Sequence, residues 1–299
     1  MKKTLKFLTL LTIVALMFTC LCSCFSLLDS PTYGDDDVES GNQNGSSSNK
    51  KVTISETVCF EYNGVKITAT ELQNGSGLLS SAGLKVNIAN DSTTDYGIGI
   101  DKLIINDCMI TSLFSHKVSA GKKANETISF SSTDLKNAKI DTIGKIEIYF
   151  YLYHPTEYTR IYSAPAVTIN TSASGSVKNE VSSLGKAVYS KGGVVINCLE
   201  TQDKGLSGGE VLFYIENNSK NNVSVSMDEL SVNGYMQSEI FVATVYAGKY
   251  TTQTLDIYAA TIKDNNIDKI ENIAFKFHVY DADSYKNLFD TEELTINFN

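Results

Sequence analysis

Strict alternation of apolar and polar residues runs along much of this chain and predicts β-strands. In Ile146–Tyr153 every second residue is apolar, and Ile273–Tyr280 has the same pattern. A period of two places one face of a strand against a core and the other toward solvent. Similar alternations begin at Val65, Leu84, Val194 and Val211. The chain is therefore predicted to consist mainly of half-buried strands.

The second half of the chain repeats the first half at an offset of 127 residues, which brings Asn106 onto Asn233. The same offset brings Ala120–Lys122 onto Ala247–Lys249, and the register holds from Ile88 almost to the C-terminus. A register kept over this length indicates one unit present twice, with each copy long enough to bury its own core.

Turn signals separate the predicted strands. Asn106-Asp107 and Asn233-Gly234 predict type I′ hairpin turns, since these residue types tolerate a positive φ. Two short segments look helical, Thr133–Ala138 and Ala260–Asn265. Short strands spaced roughly 8–12 residues apart indicate an all-β, antiparallel sandwich, and we expect about seven or eight strands in each copy.

The N-terminus has the pattern of an export signal. A positive segment comes first and contains Lys2, Lys3 and Lys6. The apolar run Leu8–Leu21 is short for a transmembrane helix and typical of a signal peptide. It leads into Leu21–Cys24, which resembles the lipobox of bacterial lipoproteins. That resemblance implies cleavage after Ser23 and a lipid on Cys24. The alternative is an ordinary secretory signal with incidental cysteines.

These patterns divide the chain into five parts. They are a signal peptide (1–23), a polar tether predicted to be disordered (24–51), a first sandwich (52–171), a linker (172–186) and a second sandwich (187–299). The linker, rich in serine, glycine and alanine, predicts that the halves fold independently. The net charge of −9 argues against nucleic acid as a partner, because phosphate binding needs a basic face. The same charge argues against docking on anionic lipid, so attachment to a membrane is expected through the lipid on Cys24.

A set of short motifs occurs in both copies. These are Asn-Gly-Val or Gly-Gly-Val, Ile-x-Asn-x-Ser, Ala-Gly-Lys and a final Val/Leu-Thr-Ile. With the lipobox and tether, the pattern resembles the uncharacterised immunoglobulin-like (telokin-type) domains on surface lipoproteins of Gram-positive bacteria, over Val52–Asn299. The resemblance implies two tandem immunoglobulin-like β-sandwich domains at the outer face of the cytoplasmic membrane or cell surface. It brings no catalytic residues.

Candidates for catalysis and metal binding are weak. The three histidines, His116, His154 and His278, are interpreted as surface residues, and no common catalytic or nucleotide-binding motif is present. A catalytic dyad of Cys108 and His116 remains an alternative. Asp281–Asp283 and Asp35–Asp37 have no surrounding twelve-residue calcium loop. We therefore expect no enzyme activity, no metal and no cofactor.

Three cysteines lie beyond the predicted lipobox: Cys59, Cys108 and Cys198. An odd number in an exported protein leaves at least one thiol unpaired. A bridge between Cys59 and Cys108 is an alternative, whereas Cys198 is interpreted as a small buried hydrophobe.

Tyrosines supply the candidate binding surface. Three project from the polar face of one predicted strand and two follow nearby: Tyr149, Tyr151, Tyr153, Tyr158 and Tyr162. Tyrosine provides a large contact area at low entropic cost, so such a surface could bind a protein or a glycan. The alternative is cross-strand packing on a sheet face. The second copy has Lys276 and His278 at two of these positions, so the stripe is not intrinsic to the fold.

Two function classes follow. The first is a non-enzymatic surface lipoprotein that presents two domains for protein or glycan binding or adhesion. The second is an accessory lipoprotein that binds a small molecule or envelope component in an interdomain cleft. A large apolar cleft would favour the second class, and two separate sandwiches would favour the first.

Overall fold

The computed structural model describes residues 51–75, 82–238 and 240–298. These residues belong to one compact unit, Lys50–Asn299. It is built mainly of β-strands in antiparallel sheets, as the alternating pattern predicts. In this part of the chain no helix has the length and apolar character needed to cross a membrane. The predicted signal peptide, Cys24 and almost all of the tether lie outside the described residues.

The described residues of the first half form ten strands and one short α-helix. The strands are β1 (Thr57–Tyr62), β2 (Val65–Gln73), β3 (Gly83–Asn90), β4 (Tyr96–Ile105), β5 (Cys108–Ile110), β6 (Ser115–Val118), β7 (Lys122–Ser129), β8 (Lys145–Tyr153), β9 (Arg160–Ser163) and β10 (Val167–Asn170). The helix is α1 (Ser132–Asn137), which lies between β7 and β8.

The second half has the same order of elements. Its strands are β11 (Lys186–Lys191), β12 (Val194–Asp203), β13 (Gly209–Asn217), β14 (Val223–Val232), β15 (Tyr235–Met236), β16 (Val242–Val245), β17 (Lys249–Ile257), β18 (Asn272–Asp281), β19 (Asn287–Asp290) and β20 (Leu294–Asn297). The helix is α2 (Ala259–Asp264). Short 3-10 helices occur at Val181–Ser183 and Gly205–Ser207.

Both predicted helical segments and both predicted hairpin turns are confirmed. In each turn the two central residues have positive φ, 51° and 67° at Asn106 and Asp107 and 49° and 85° at Asn233 and Gly234. The Asn106 side chain accepts a hydrogen bond from the Gly144 amide at 2.8 Å. Asn233 accepts one from the Glu271 amide at 2.9 Å, so the equivalence extends to side-chain contacts.

The predicted strand number of seven or eight per copy is wrong, since the described residues of each half already form ten strands. The additional strands are short. β15 has two residues, β5 has three, and β6, β9, β16 and β19 have four each. Segments of this length hold too few residues to show an alternating pattern, so the sequence does not distinguish them from loops.

Three sheets arrange these strands. A four-stranded sheet has the order β1-β2-β3-β7, and a six-stranded sheet has the order β15-β14-β18-β19 with β16 on β14 and β20 on β18. A ten-stranded sheet lies along β10-β8-β4-β5-β17-β13-β12-β11, with β6 on β4 and β9 on β8. This sheet takes strands from both halves. The halves meet where β5 pairs with β17 in parallel, at Cys108 and Tyr250.

Two hydrophobic cores lie between the sheets, one in each half, and each core includes side chains from the other half. Tyr214 and Tyr250 belong to the second half of the chain but are buried in the first core. Ile104 and Met109 belong to the first half but are buried in the second core. The halves are therefore packed against each other over apolar side chains.

Candidate functional site

A cation–aromatic cluster lies on the outer face of β8 and β9. The guanidinium carbon of Arg160 is 4.1 Å from the centroid of the Tyr151 ring. The Arg160 Nη1 and Nη2 atoms donate to the two carboxylate oxygens of Asp101 at 2.7 and 2.6 Å. This hydrogen bonding raises the pKa of Arg160 above its ordinary value. A bidentate ion pair and a stacked cation together hold the tyrosine ring in one orientation. Arg160 is the only arginine in the sequence.

Glycines on β4 make room for the tyrosine rings. Gly97 pairs with Tyr153, and Gly99 pairs with Tyr151. A Cβ atom at either glycine would overlap the opposite ring, so the rings occupy the space above β4 that side chains would fill. The two rings therefore lie across the neighbouring strand instead of projecting freely into solvent.

Tyr153 and Tyr158 form a stacked pair that is part of the repeated fold. Their rings stack with centroids 6.0 Å apart, and Tyr158 is 77% exposed while Tyr153 is 9% exposed. The second half has the same stacked pair, Tyr280 and Tyr285, at 6.4 Å. Tyr158 and Tyr285 also share a positive φ, 57° and 58°. A feature present in both halves is explained by the fold alone.

The Tyr151 cluster, in contrast, occurs only in the first half. Its three residues Asp101, Tyr151 and Arg160 correspond to Asp228, His278 and Asn287 in the second half. There, His278 bonds to the carboxylate of Asp290 instead. The cluster is therefore not required by the fold.

The structure does not bring all five predicted tyrosines together. Tyr149 packs edge-on against Tyr246 at 5.6 Å, where the halves meet. Tyr162 stacks on Tyr62 at 4.0 Å and packs against the first core. Only Tyr151, Tyr153 and Tyr158 share a surface. The short strand β9 gave no alternation from which the inward direction of Tyr162 could be predicted.

The halves are held together by what we call the joint, formed by Asp107–Met109 and Tyr246–Thr251. The Tyr250 amide donates to the Asp107 carbonyl at 3.0 Å. Lys249 Nζ bonds to carboxylate oxygens of Asp107 and Glu147, both at 2.6 Å. Lys145 bonds to Asp107 at 2.7 Å. Two lysines and two carboxylates thus form one partly buried ion-pair network across the joint.

Further contacts surround Met109 in the joint. The Thr251 hydroxyl donates to the Met109 carbonyl at 2.9 Å, and the Tyr246 amide lies 3.1 Å from the Met109 sulfur. Lys102 Nζ is 5.9 Å from the centroid of the Tyr246 ring. The sequence did not predict this contact region.

The charge of Asp107 makes the joint sensitive to acid. Burial raises the pKa of Asp107, but hydrogen bonds from Lys145 and Lys249 outweigh burial, so the pKa lies below its usual value. A carboxyl group with a lowered pKa stabilises the folded state above its unfolded-state pKa of about 3.9, and this contribution disappears as the pH falls through the folded-state pKa.

We therefore expect Asp107→Asn to reduce the free energy of unfolding at pH 7. The difference from the unsubstituted protein should shrink as the pH falls below about 4 and through the lowered folded-state pKa of Asp107, because Asp107 then becomes protonated in both states. Urea melts at a series of pH values measure this difference. A difference that does not shrink as the pH is lowered contradicts the assignment.

None of the three described cysteines forms a disulfide, so the alternative bridge between Cys59 and Cys108 is wrong. Burial raises the pKa of Cys108 to about 12, and Cys59 is also buried. Cys198 is half-buried and packs against the second core. The alternative dyad is not formed, because Cys108 is fully buried in the first core while His116 pairs with Glu126 at 3.2 Å.

A groove of about 490 Å³ lies between the halves, beside the joint. It opens where β5 and β17 diverge after their single paired position. Hydroxyl, amide and carboxylate side chains provide most of its polar lining: Asp101, Thr111, Ser112, Thr133, Asp134, Asn137, Thr244, Thr251, Thr252, Gln253 and Thr254. Apolar side chains include Met109, Ile110 and Val242. Asp101 also binds Arg160, so the Tyr151 cluster borders the groove.

Histidines and carboxylates form no metal site in the described part of the chain, where no group of three or more potential ligands is found. Asp281 instead accepts hydrogen bonds from its own turn, from the Ser284 amide and hydroxyl at 2.8 Å each. The Nδ1 atom of His154 is buried without a hydrogen-bond partner among the described residues.

Comparisons with known proteins give only distant likenesses. No family model matches the chain, and no curated relative matches it. Among solved structures, a protein of unknown function from Porphyromonas gingivalis W83 is 10% identical, with a TM-score of 0.22 over 79% of this chain and 100% of that one. The Salmonella enterica SafA pilin in complex with the SafB chaperone is 10% identical, with a TM-score of 0.24 over 80% and 98%. Likenesses at these TM-scores carry no inference about function.

Proposed function

We propose that this chain is an exported lipoprotein that binds a protein or glycan without catalysing a reaction. In this proposal a lipid on Cys24 attaches it to the outer face of the cytoplasmic membrane. Residues 52–171 and 187–299 form two tandem immunoglobulin-like β-sandwich domains. The duplicated order of strands, the three sheets and the two cores support the domain assignment. The lipobox supports the anchor.

The observation that carries the binding proposal is the Tyr151–Arg160–Asp101 cluster. It is partly exposed, it is held in one geometry, and the fold does not require it, since the second half has a different set of residues there. The tyrosine hydroxyl and the neighbouring guanidinium and carboxylate can hydrogen-bond the hydroxyls of a sugar, while the exposed part of the aromatic ring supplies apolar contact area. A glycan is therefore the ligand that this surface fits best.

Glycan arrays and surface-extract pull-downs with the Val52–Asn299 fragment test this proposal. We expect Tyr151→Ala to weaken binding about tenfold, which corresponds to the loss of roughly 1.4 kcal/mol. The matched control is His278→Ala, the equivalent position in the second half, which should leave binding unchanged. A ligand whose affinity is unaffected by Tyr151→Ala does not use the cluster.

The anchor has its own test. Metabolic labelling with a palmitate analogue should be lost in Cys24→Ala, because that substitution removes the sulfur to which the lipid would be attached. Cys20→Ala is the control and should keep the label. Label retained in Cys24→Ala contradicts the assignment.

A second candidate function is the binding of a small molecule or envelope component in the groove. Its volume of about 490 Å³ lies in the range of ligand pockets, roughly 300–1,000 Å³. The lining is more polar than that of a typical pocket, which favours a polar ligand. Val242→Arg should abolish binding there, because Val242 lines the groove and is 48% exposed, so a longer side chain can occupy the space. Isothermal titration with candidate ligands measures the loss.

A further inference from the structure

The groove is bordered by strands with free edges. β17 pairs with β13 along all nine of its residues, Lys249–Ile257, but its other edge pairs with β5 only at Tyr250. β16 lines the same groove, and among the described strands it pairs only with β14. Main-chain donors and acceptors of an unpaired edge are a template for another strand.

The hydrogen bonds at both ends of this edge show which peptide groups face the groove. At one end the Tyr250 amide donates to the Asp107 carbonyl of the joint. At the other end the Asp256 carbonyl accepts from Gln237 Nε2 at 2.9 Å. In an antiparallel strand the amide and carbonyl of one residue point to the same side, and successive residues alternate. The pairing of β17 with β13 has no bulge. Thr252 and Thr254 therefore direct their peptide groups to this edge.

Neighbouring groups occupy part of this edge. A backbone hydrogen bond links Thr252 to the sulfur of Cys108. The Gln237 side chain bonds both the Asp256 carbonyl and the Tyr258 amide, at 2.9 and 3.0 Å, as a strand would. The Thr254 carbonyl accepts a hydrogen bond from Gln253 Nε2 at 3.3 Å, a local contact that an incoming peptide amide would have to displace. The Thr254 amide lies between these contacts, beside the groove that Thr254 lines.

We propose that an extended segment of another polypeptide enters the groove and adds to β17 as a further strand. The proposal rests on the second candidate function, binding in the groove, and names its ligand class. An extended peptide offers amide and carbonyl groups at the spacing of a strand edge, whereas a sugar chain does not repeat that pattern. The threonine-rich wall around this edge favours a segment with small or polar side chains.

A library of phage-displayed, unconstrained dodecapeptides panned on the purified full-length protein provides the probe. We expect enriched peptides to bind about tenfold more weakly to Thr254→Pro, because the substitution removes the Thr254 amide hydrogen, which faces the groove, without adding a larger side chain. Thr127→Pro is the matched control, since it is the equivalent position on the edge strand β7 and should not alter binding. Val242→Arg should abolish binding by filling the groove.

The outcomes distinguish strand addition from the broader proposal that a ligand binds in the groove. If Val242→Arg blocks peptides and Thr254→Pro does not, the groove binds ligand without strand addition, and the inference is overturned. If neither variant matters, the peptides bind outside the groove and the inference is overturned, while the proposal of ligand binding in the groove is decided by the titration of Val242→Arg with small molecules. If no peptide is enriched, the inference fails while binding of small molecules is decided by its own titration. Should Thr254→Pro fail to fold, amide exchange in the unsubstituted protein decides: the Thr254 amide must exchange more slowly with the peptide bound.

Discussion

Phe277→Ala is expected to lower the free energy of unfolding by about 3–5 kcal/mol, a large share of the roughly 5–15 kcal/mol that stabilises a domain. Phe277 is fully buried, and its ring packs against Phe213, Phe241 and Phe275 at centroid distances between 4.9 and 6.2 Å. Truncation would remove these contacts and leave a cavity among rigid aromatic neighbours, which cannot move far enough to fill it. Denaturant melts measure the loss.

The repeat supplies two comparisons for this prediction. Phe150 is the equivalent residue of the first half and is 1% exposed, as its place in the repeat predicts, so Phe150→Ala should cost a similar amount. Tyr151→Ala removes a ring one residue away on the outer face and should cost about 1 kcal/mol or less. If Tyr151→Ala is as damaging as Phe150→Ala, Tyr151 is a structural residue, and the binding proposal loses its main support.

Tyr250→Ala is expected to have the second large effect, about 3–5 kcal/mol, and to change the form of the unfolding transition. Tyr250 is 3% exposed and is buried in the core of the first half beside Tyr214, another residue of the second half, with ring centroids 5.4 Å apart. Because this packing joins the halves, its loss should uncouple them. Calorimetry should show one transition for the unsubstituted protein and two for Tyr250→Ala.

Lys123→Ala is the matched control, because Lys123 is the exposed residue of the first half that corresponds to Tyr250. It should leave one transition with little change in stability, since surface substitutions typically alter stability by about 0.5 kcal/mol or less. A single, almost unchanged transition for Tyr250→Ala as well would show that the joint contributes little to coupling.

Local features of the fold could be predicted from sequence, because they depend on neighbouring residues. The long strands, both helices and the type I′ turns follow from alternation and from the residues that tolerate positive φ. The joint could not be predicted in this way, since Lys249 and Asp107 are 142 residues apart. One signal was present: Tyr214 and Tyr250 stand where the first half has Asn87 and Lys123. A position that is aromatic in one copy and polar in the other indicates a sheet face that is buried in the copy with the aromatic residue and exposed to solvent in the other.

The candidate site was predicted only in part. The tyrosine stripe identified Tyr151, but the stacking of Arg160 and the inward packing of Tyr162 depend on strand β9, which has four residues. Independent folding of the halves stays a prediction. Because the joint buries residues of both halves, the isolated first half would expose Met109 and the isolated second half would expose Tyr250. We therefore expect each half to be less stable alone than in the chain.

The joint is made by one side of each half, and the equivalent residues on the other side differ. Met109 is 8% exposed in the joint, whereas its counterpart Met236 is 67% exposed on β15. A third copy could cover Met236 only with partners of the kind that cover Met109, yet Gly234 replaces Asp107 on this side and supplies no carboxylate for a lysine. The first half, with Lys123 in place of Tyr250, does not offer the receiving surface either. The described outer surfaces of the two halves therefore lack the residues that would repeat the contacts of the joint, head to tail, between copies of this chain.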